Sequence, residues 1–196
     1  LSYLVQMLGL TVQNFVSAAT GMAVAVALAR GFARRQTNSI GNFWADMVRS
    51  ATYILLPLSL ILAVVLIGQG VVQSFSPYVT AHTLEGATQT IPLGPAASQI
   101  AIKQLGTNGG GYFGLNSAHP FENPTPLSNF LQMLSILLIP SAFVYTFGKL
   151  VGDKKQGFTI YASMMILFLV GLAVTLYFES QPNPALGGLP FFEGKE

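Results

Sequence analysis

The residue types and spacings that could do chemistry in this chain gather in one uncharged run, Gly106-Thr107-Asn108-Gly109-Gly110-Gly111. It continues as Tyr112-Phe113-Gly114-Leu115-Asn116-Ser117-Ala118-His119-Pro120-Phe121-Glu122-Asn123-Pro124. The chemistry available there is that of the backbone. Dehydrating an alkali cation takes several oxygens at once, and close-set carbonyls supply them when an extended chain turns them to one side. Such a turn needs positive φ at some residues, which glycine alone adopts cheaply, so Gly109, Gly110 and Gly111 are what a filter of this kind requires. Thr107 and Asn108 either add side-chain oxygens or brace the loop from behind. The backbone carbonyls of Thr107, Asn108, Gly109, Gly110 and Gly111 are therefore expected to hold a cation. Gly106 and Glu122 have minor parts, Glu122 as a carboxylate that raises the local cation concentration in an outer vestibule.

Something must deliver that loop. Residues 95–105 read as a helix of about 11 residues, roughly 16 Å long and half a membrane thick. Pro95 suits its first turn and Gly106 its end. Its partly negative C-terminal end would point at the ion, favouring a cation over an anion. A half-length helix followed by a glycine loop, between two full spans, is a re-entrant pore loop in outline.

Composition sets the same frame. Hydrophobic residues make up 52% of the 196, charged residues 8%, and the mean hydropathy is +0.57, against roughly 25% charged residues in a soluble domain. The expected class is an all-α polytopic membrane protein. The formal charge of +2 is too small to point to nucleic acid, and the absence of cysteine leaves no disulfide, thiolate site or cysteine nucleophile. Four uncharged stretches, residues 4–29, 51–75, 127–148 and 158–178, have the roughly 20-residue length a bilayer crossing needs. Arg30, Arg34, Arg35 and Arg49 fall between the first and second, and Lys149, Lys154 and Lys155 between the third and fourth. Only Lys103 and Lys195 lie in the other two connections. By the positive-inside tendency the two short loops are cytoplasmic, so the glycine loop and the tail face outside.

An internal repeat sharpens the layout. Leu1-Ser2-Tyr3-Leu4-Val5-Gln6-Met7-Leu8 aligns with Leu127-Ser128-Asn129-Phe130-Leu131-Gln132-Met133-Leu134, and Arg34-Arg35-Gln36 is answered by Lys154-Lys155-Gln156. Spans one and three then occupy equivalent places in a unit of span, pore loop and span. Residues 1–29 would close one unit and 30–50 form a cytoplasmic loop. Residues 51–148 are a whole unit, with pore helix 95–105, filter 106–111 and outer loop 112–126. Residues 149–157 are a second cytoplasmic loop, 158–178 open the next unit, and 179–196 are extracellular. With no charged leader ahead of the first span and no helix closing the end, the chain reads as an excerpt of a longer polytopic protein.

The glycine run, with Asn116-Ser117-Ala118-His119-Pro120-Phe121-Glu122-Asn123-Pro124-Thr125 after it, resembles the second filter region of the KdpA family. These are the potassium-binding, channel-like subunits of bacterial Kdp potassium-transporting ATPases. Gly9-Leu10-Thr11-Val12-Gln13-Asn14-Phe15, Glu85-Gly86-Ala87 and Gly152-Asp153 agree with it, and the likeness covers the whole chain; Gly114-Leu115 departs from the Asn-Ala common in relatives. The resemblance implies four span-loop-span units around one filter, in the inner membrane of a bacterium. Potassium would be taken from outside and passed to a P-type ATPase subunit that hydrolyses ATP, with small accessory membrane subunits and lipid as the other partners. Potassium is then the transported ion, with no organic cofactor and no catalysis in this subunit itself.

Other readings compete at several residues. Gly109-x-Gly111-x-x-Gly114 matches a dinucleotide fingerprint in letters, but that motif needs a strand before it and a helix after it. His119 and Glu122 are too few for a zinc site, which takes at least three protein ligands, so a hydrogen-bonded loop brace is expected. Lys103 is expected to face away from the ion, its charge complementing the helix C-terminus. Gln13, Asn14, Gln132 and Ser135 should face protein or pore, and Trp44 fits an interfacial anchor. The basic loop residues read as topology signals and anionic-lipid contacts. The functional alternatives are a passive or ion-coupled potassium channel-like transporter and, from another class, a non-conducting membrane scaffold.

Overall fold

In the computed structural model, residues 2–34, 39–114 and 116–181 are described; Leu1, Arg35, Gln36, Leu115 and the tail with Lys195 lie outside the described residues. Among the described residues, four helices are long and apolar enough to cross a membrane: α1 (Val5–Ala33), α2 (Phe43–Gly68), α4 (Pro126–Val151) and α5 (Lys154–Glu179). Between α2 and α4 come strands β1 (Val79–His82) and β2 (Thr88–Ile91) and the short helix α3 (Ala96–Leu105). Residues Leu1–Phe143 form one compact unit and Val144–Glu196 another. This is an all-α polytopic membrane protein with one small hairpin added.

The second span lies earlier in the chain than its apolar core implies. Asn42 caps it, its Oδ1 accepting from the Ala45 N–H at 3.1 Å, so the turn from Phe43 to Arg49 joins the helix despite its charges. At the other end Gly70, at φ +95°, turns the chain away. The ladder widens to π geometry over Ser50–Leu55, just before Pro57, whose ring and missing N–H are poorly accommodated by a regular α ladder. Arg30 and Asp46, across the connection between α1 and α2, form a two-pronged ion pair, with Arg30 Nη2 to Asp46 Oδ1 at 3.0 Å. Arg49 lies 3.9 Å from the same carboxylate. Arg30 and Arg49 thus have a protein partner as well as a place in the charge bias.

The hairpin was not expected. Val79 pairs with Ile91 and His82 with Thr88, antiparallel, and the turn places Gly86 at φ +81°. The strands are four residues each and mostly exposed, too short and polar to stand out by period-two patterning.

The segment after α2 builds the start of α3. Pro95 offers no side-chain cap, and the orphan amides of the first turn are satisfied from a distance. Val72 O accepts from Ala96 and Ala97 at 3.1 and 3.0 Å, and Gln73 Oε1 accepts from Ser98 N at 3.0 Å. Ala96, Ala97, Ile100, Ala101 and Leu105 then pack with Leu62, Ala63, Leu66 and Val71. Small alanines let the short helix lie close against α2. At the start of α4, Thr125 and Ser128 exchange bonds, each N–H to the other's hydroxyl, at 3.1 and 3.0 Å. With Pro126 between them this is a capping-box arrangement.

Within the second unit, Gly148 and Gly157 meet where α4 passes α5. A Cβ on Gly157 would lie 2.9 Å from the Gly148 Cα and 3.0 Å from Val144 O. Gly152 at φ +82° ends α4, and Asp153 caps α5 by accepting from Lys155 and Gln156 amides at 2.9 and 3.2 Å.

Candidate ion-binding site

The loop leaves α3 through a crowded point. A Cβ on Gly106 would sit 2.5 Å from Asn108 Oδ1, 3.0 Å from Ile102 O and 3.1 Å from Asn14 O, so this glycine is required for space. Thr107 follows at φ +59°, an outlying conformation for a β-branched residue, and one that surrounding structure must impose. Gly109 and Gly110 have φ of +73° and +109°. Gly111 does not share the left-handed region, so the unusual backbone falls on Thr107, Gly109 and Gly110 rather than on the three consecutive glycines. Thr107, Asn108 and Gly110 are exposed, while Gly109 and Gly111 are half-buried.

Asn108 braces the loop to α1. With its amide set by the surrounding network, Nδ2 donates to Asn14 O and Gly106 O at 3.1 Å each and Oδ1 accepts from Ser17 Oγ at 2.6 Å. Asn14 is buried here, whereas Gln13 beside it is exposed. A cavity of about 390 Å³ adjoins the loop at Gly106, Thr107 and Asn108, with Gly21 of α1 and Ile139 and Pro140 of α4 on its other walls.

Behind the loop lies a polar network that sequence reasoning missed. Lys103 has no exposed surface. Its Nζ donates to the Gly110 carbonyl and reaches Glu122 Oε2 at 3.1 Å. Glu122, expected in an outer vestibule, is instead fully buried; its other oxygen accepts from Phe113 N–H at 2.6 Å. A carboxylate occupied on both oxygens and shut off from solvent is unsuited to gathering cations. Lys103, expected to face away from the ion and complement the helix end, instead places its ammonium on a loop carbonyl, that of Gly110, and on a carboxylate. Removing one member of such a pair costs about 3–5 kcal/mol, because the other charge is left buried and unpaired.

The network continues into α4. Gln132 Nε2 donates to Glu122 O at 2.9 Å, and Gln104 Nε2 donates to Gln132 Oε1 at 3.0 Å and to Ser117 Oγ at 3.3 Å. The repeat-related Gln6 does the equivalent from α1, donating to Tyr112 O at 3.2 Å and accepting from Gln99 Nε2 at 3.4 Å. The two glutamines of the repeat thus flank α3 and hold opposite ends of the segment that follows the glycines. Ser135 instead bonds back to Leu131 O at 2.7 Å. His119 accepts from Phe121 N–H at 3.2 Å and packs against the Phe113 and Phe121 rings, as a loop brace does. Burial pushes the Tyr112 hydroxyl up to about 12, with Tyr3 and Tyr78 adding to the shift.

Helices of membrane-crossing length, with a short buried helix and a braced glycine loop between two of them, define an all-α polytopic membrane protein. Residues 1–196 match the family described as the potassium-transporting ATPase A subunit, KdpA, and the chain belongs to that family. It is 64% identical over 186 residues to the potassium-transporting ATPase potassium-binding subunit of Pseudomonas syringae pv. tomato, covering 95% of this chain and 33% of that protein. It is 61% identical over 194 residues to the like-named subunit of Pseudomonas aeruginosa, covering 99% and 34%. With that of Rhodospirillum centenum it shares 60% over 202 residues, covering 100% and 35%. The chain spans about a third of the length of these relatives.

Proposed function

We propose that this chain carries one complete filter-bearing unit of a potassium-binding and translocating subunit. That subunit would select extracellular K+ with backbone carbonyls of residues 107–111 and pass it to a P-type ATPase subunit, where ATP is hydrolysed. The observation that carries the reading is the delivery of the loop. A ten-residue helix is buried between longer helices and ends in a segment whose left-handed residues turn successive peptides through different directions, as carbonyl coordination requires. Family membership supplies the ion and the ATPase setting. In this reading α2, α3 and α4 are span, pore helix and span. Residues 112–126 wall the outer side, and α1 and α5 belong to neighbouring units.

The loop faces outside on the argument of the basic residues in the α1–α2 and α4–α5 connections, and family membership favours the bacterial inner membrane as its location. Accessory membrane subunits and lipid complete the assembly. The test is Gly110→Asp in the complete transport complex. At φ +109° an aspartate is strained, and its Cβ, which meets nothing within 4 Å, carries a charged group into open space at an exposed point of the loop. Potassium-stimulated ATP hydrolysis should need on the order of a hundredfold more potassium, equivalent to about 2.7 kcal/mol of lost ion binding. Unchanged potassium affinity in an assembled complex would sink the filter reading.

A further inference from the structure

The Gly110 peptide is held on both sides by side chains. Its N–H donates to Asn116 Oδ1 at 3.0 Å, and its carbonyl accepts from the Lys103 ammonium. That ammonium is fully buried and tied to a fully buried Glu122, whose second oxygen holds the Phe113 N–H. One ion pair therefore reaches the loop at two points, residue 110 and residue 113, and fixes both to α3. Two cations sharing one carbonyl oxygen repel each other at close range. With an ammonium already on the Gly110 oxygen, a potassium ion there is disfavoured.

We propose that Lys103 and Glu122 are positioning residues that hold the Gly110 carbonyl back from the ion, making Gly110 the anchor of the filter rather than a ligand. This rests on the filter reading and narrows it: the ligand carbonyls are those of Thr107, Asn108, Gly109 and Gly111. The pair is neutral as a whole, so the ammonium braces the loop without placing a net positive charge beside the ion path. Glutamine can replace either partner in hydrogen bonding, since its amide donates like Lys103 and its oxygen accepts like Glu122. Methionine can do neither.

The experiment compares two double variants in the complete complex, K103Q/E122Q and K103M/E122M. Neither leaves an unpaired buried charge, the defect that single substitutions here create. The methionine pair should assemble and reach near-normal turnover at saturating potassium. Its KM for potassium should rise on the order of tenfold, the scale of one charge-assisted hydrogen bond, and its preference for potassium over rubidium should collapse. The glutamine pair should restore most of both. Normal KM and selectivity in the methionine pair overturn the clamp. If Gly110→Asp still lowers affinity in that case, the filter reading survives its loss; if both variants bind potassium normally, the filter reading falls as well. A density map of the wild-type complex in potassium, which needs no variant to fold, gives a second check. The Gly110 oxygen should lie on Lys103 Nζ, and direct contact between that oxygen and the ion overturns the proposal.

Discussion

Two glycines of the loop are glycines for different reasons, and substitution separates them. Gly106 lacks room for a Cβ, because Asn108 and two carbonyls stand around it. Gly109 has room, the nearest atom to an added Cβ being Asn116 Oδ1 at 3.6 Å, but its φ of +73° costs an ordinary residue about 1–2 kcal/mol. Asparagine tolerates that region better than alanine. Gly109→Asn should therefore stay closer to wild type than Gly109→Ala in thermal stability and in the KM for potassium of the complete complex. At Gly106 the order should reverse, the smaller alanine being the less harmful. Equal behaviour of the two substitutions at both positions would contradict the assignment. Thr107 shows where reading residue types stops: no pattern of letters marks a threonine as left-handed. The contacts of Asn108 with α1 and the 107–104 turn, with Thr107 N donating to Gln104 O at 3.2 Å, hold it there.

Elements depend on contacts between chain segments as much as on their own periodicity. The crossing of α4 and α5 is set by Gly148 and Gly157, whose backbones nearly touch. Gly157→Val should push the two apart and cost about 1–3 kcal/mol, the usual price of overpacking. Gly171→Val in the same helix, where an added Cβ meets nothing within 4 Å, should be close to neutral. Detergent-solubilised thermal unfolding of the two variants distinguishes them, and equal losses would show that the close approach does not hold the crossing. The four spans were legible from length and apolar character, though the second starts at Phe43 and takes in Asp46 and Arg49, which a search for uncharged stretches leaves out. The short helix was legible because Pro95 and Gly106 punctuate it. The hairpin was not, since its strands are only four residues each and, while Val79-Thr80-Ala81-His82 alternates, Thr88-Gln89-Thr90-Ile91 is polar at three of its four positions. Nor was the Lys103–Glu122 pair: a separation of 19 residues across a glycine loop matches no helical or strand offset that would place two side chains together.

For the molecule as a whole, the proposed orientation across the membrane rests on the basic residues in two connections, and labelling tests it directly. The chain has no cysteine, so single cysteines report cleanly in a complex otherwise stripped of them. Leu84, fully exposed at the hairpin turn, should as L84C react with an impermeant thiol reagent added outside intact cells. Lys154, at the first turn of α5, should as K154C react only after the cells are opened. The reverse pattern would invert the molecule and put the glycine loop on the cytoplasmic face. The repeat carries further than topology: Gln6 and Gln132, matched in the sequence alignment, both donate to carbonyls of the loop wall, Tyr112 O and Glu122 O. Equivalence in sequence here became equivalence of task, though only the spacing was readable and the recipients were not.

The way α3 is held also orders events during synthesis. Ten residues are fewer than the roughly 12–15 an isolated helix needs to persist in water. Its first amides are satisfied by Val72 and Gln73, which emerge earlier, so its N-terminal half can settle against α2 as soon as it is made. Lys103 and Gln104 cannot, because their partners Glu122, Ser117 and Gln132 are still to come. Until residue 122 has emerged the end of the helix carries an ammonium without its carboxylate, which keeps that end wet, and Gln104 lacks Gln132 until α4 follows. The glycine loop should thus become rigid only after the segments that follow it, Glu122 and then Gln132 of α4, are in place.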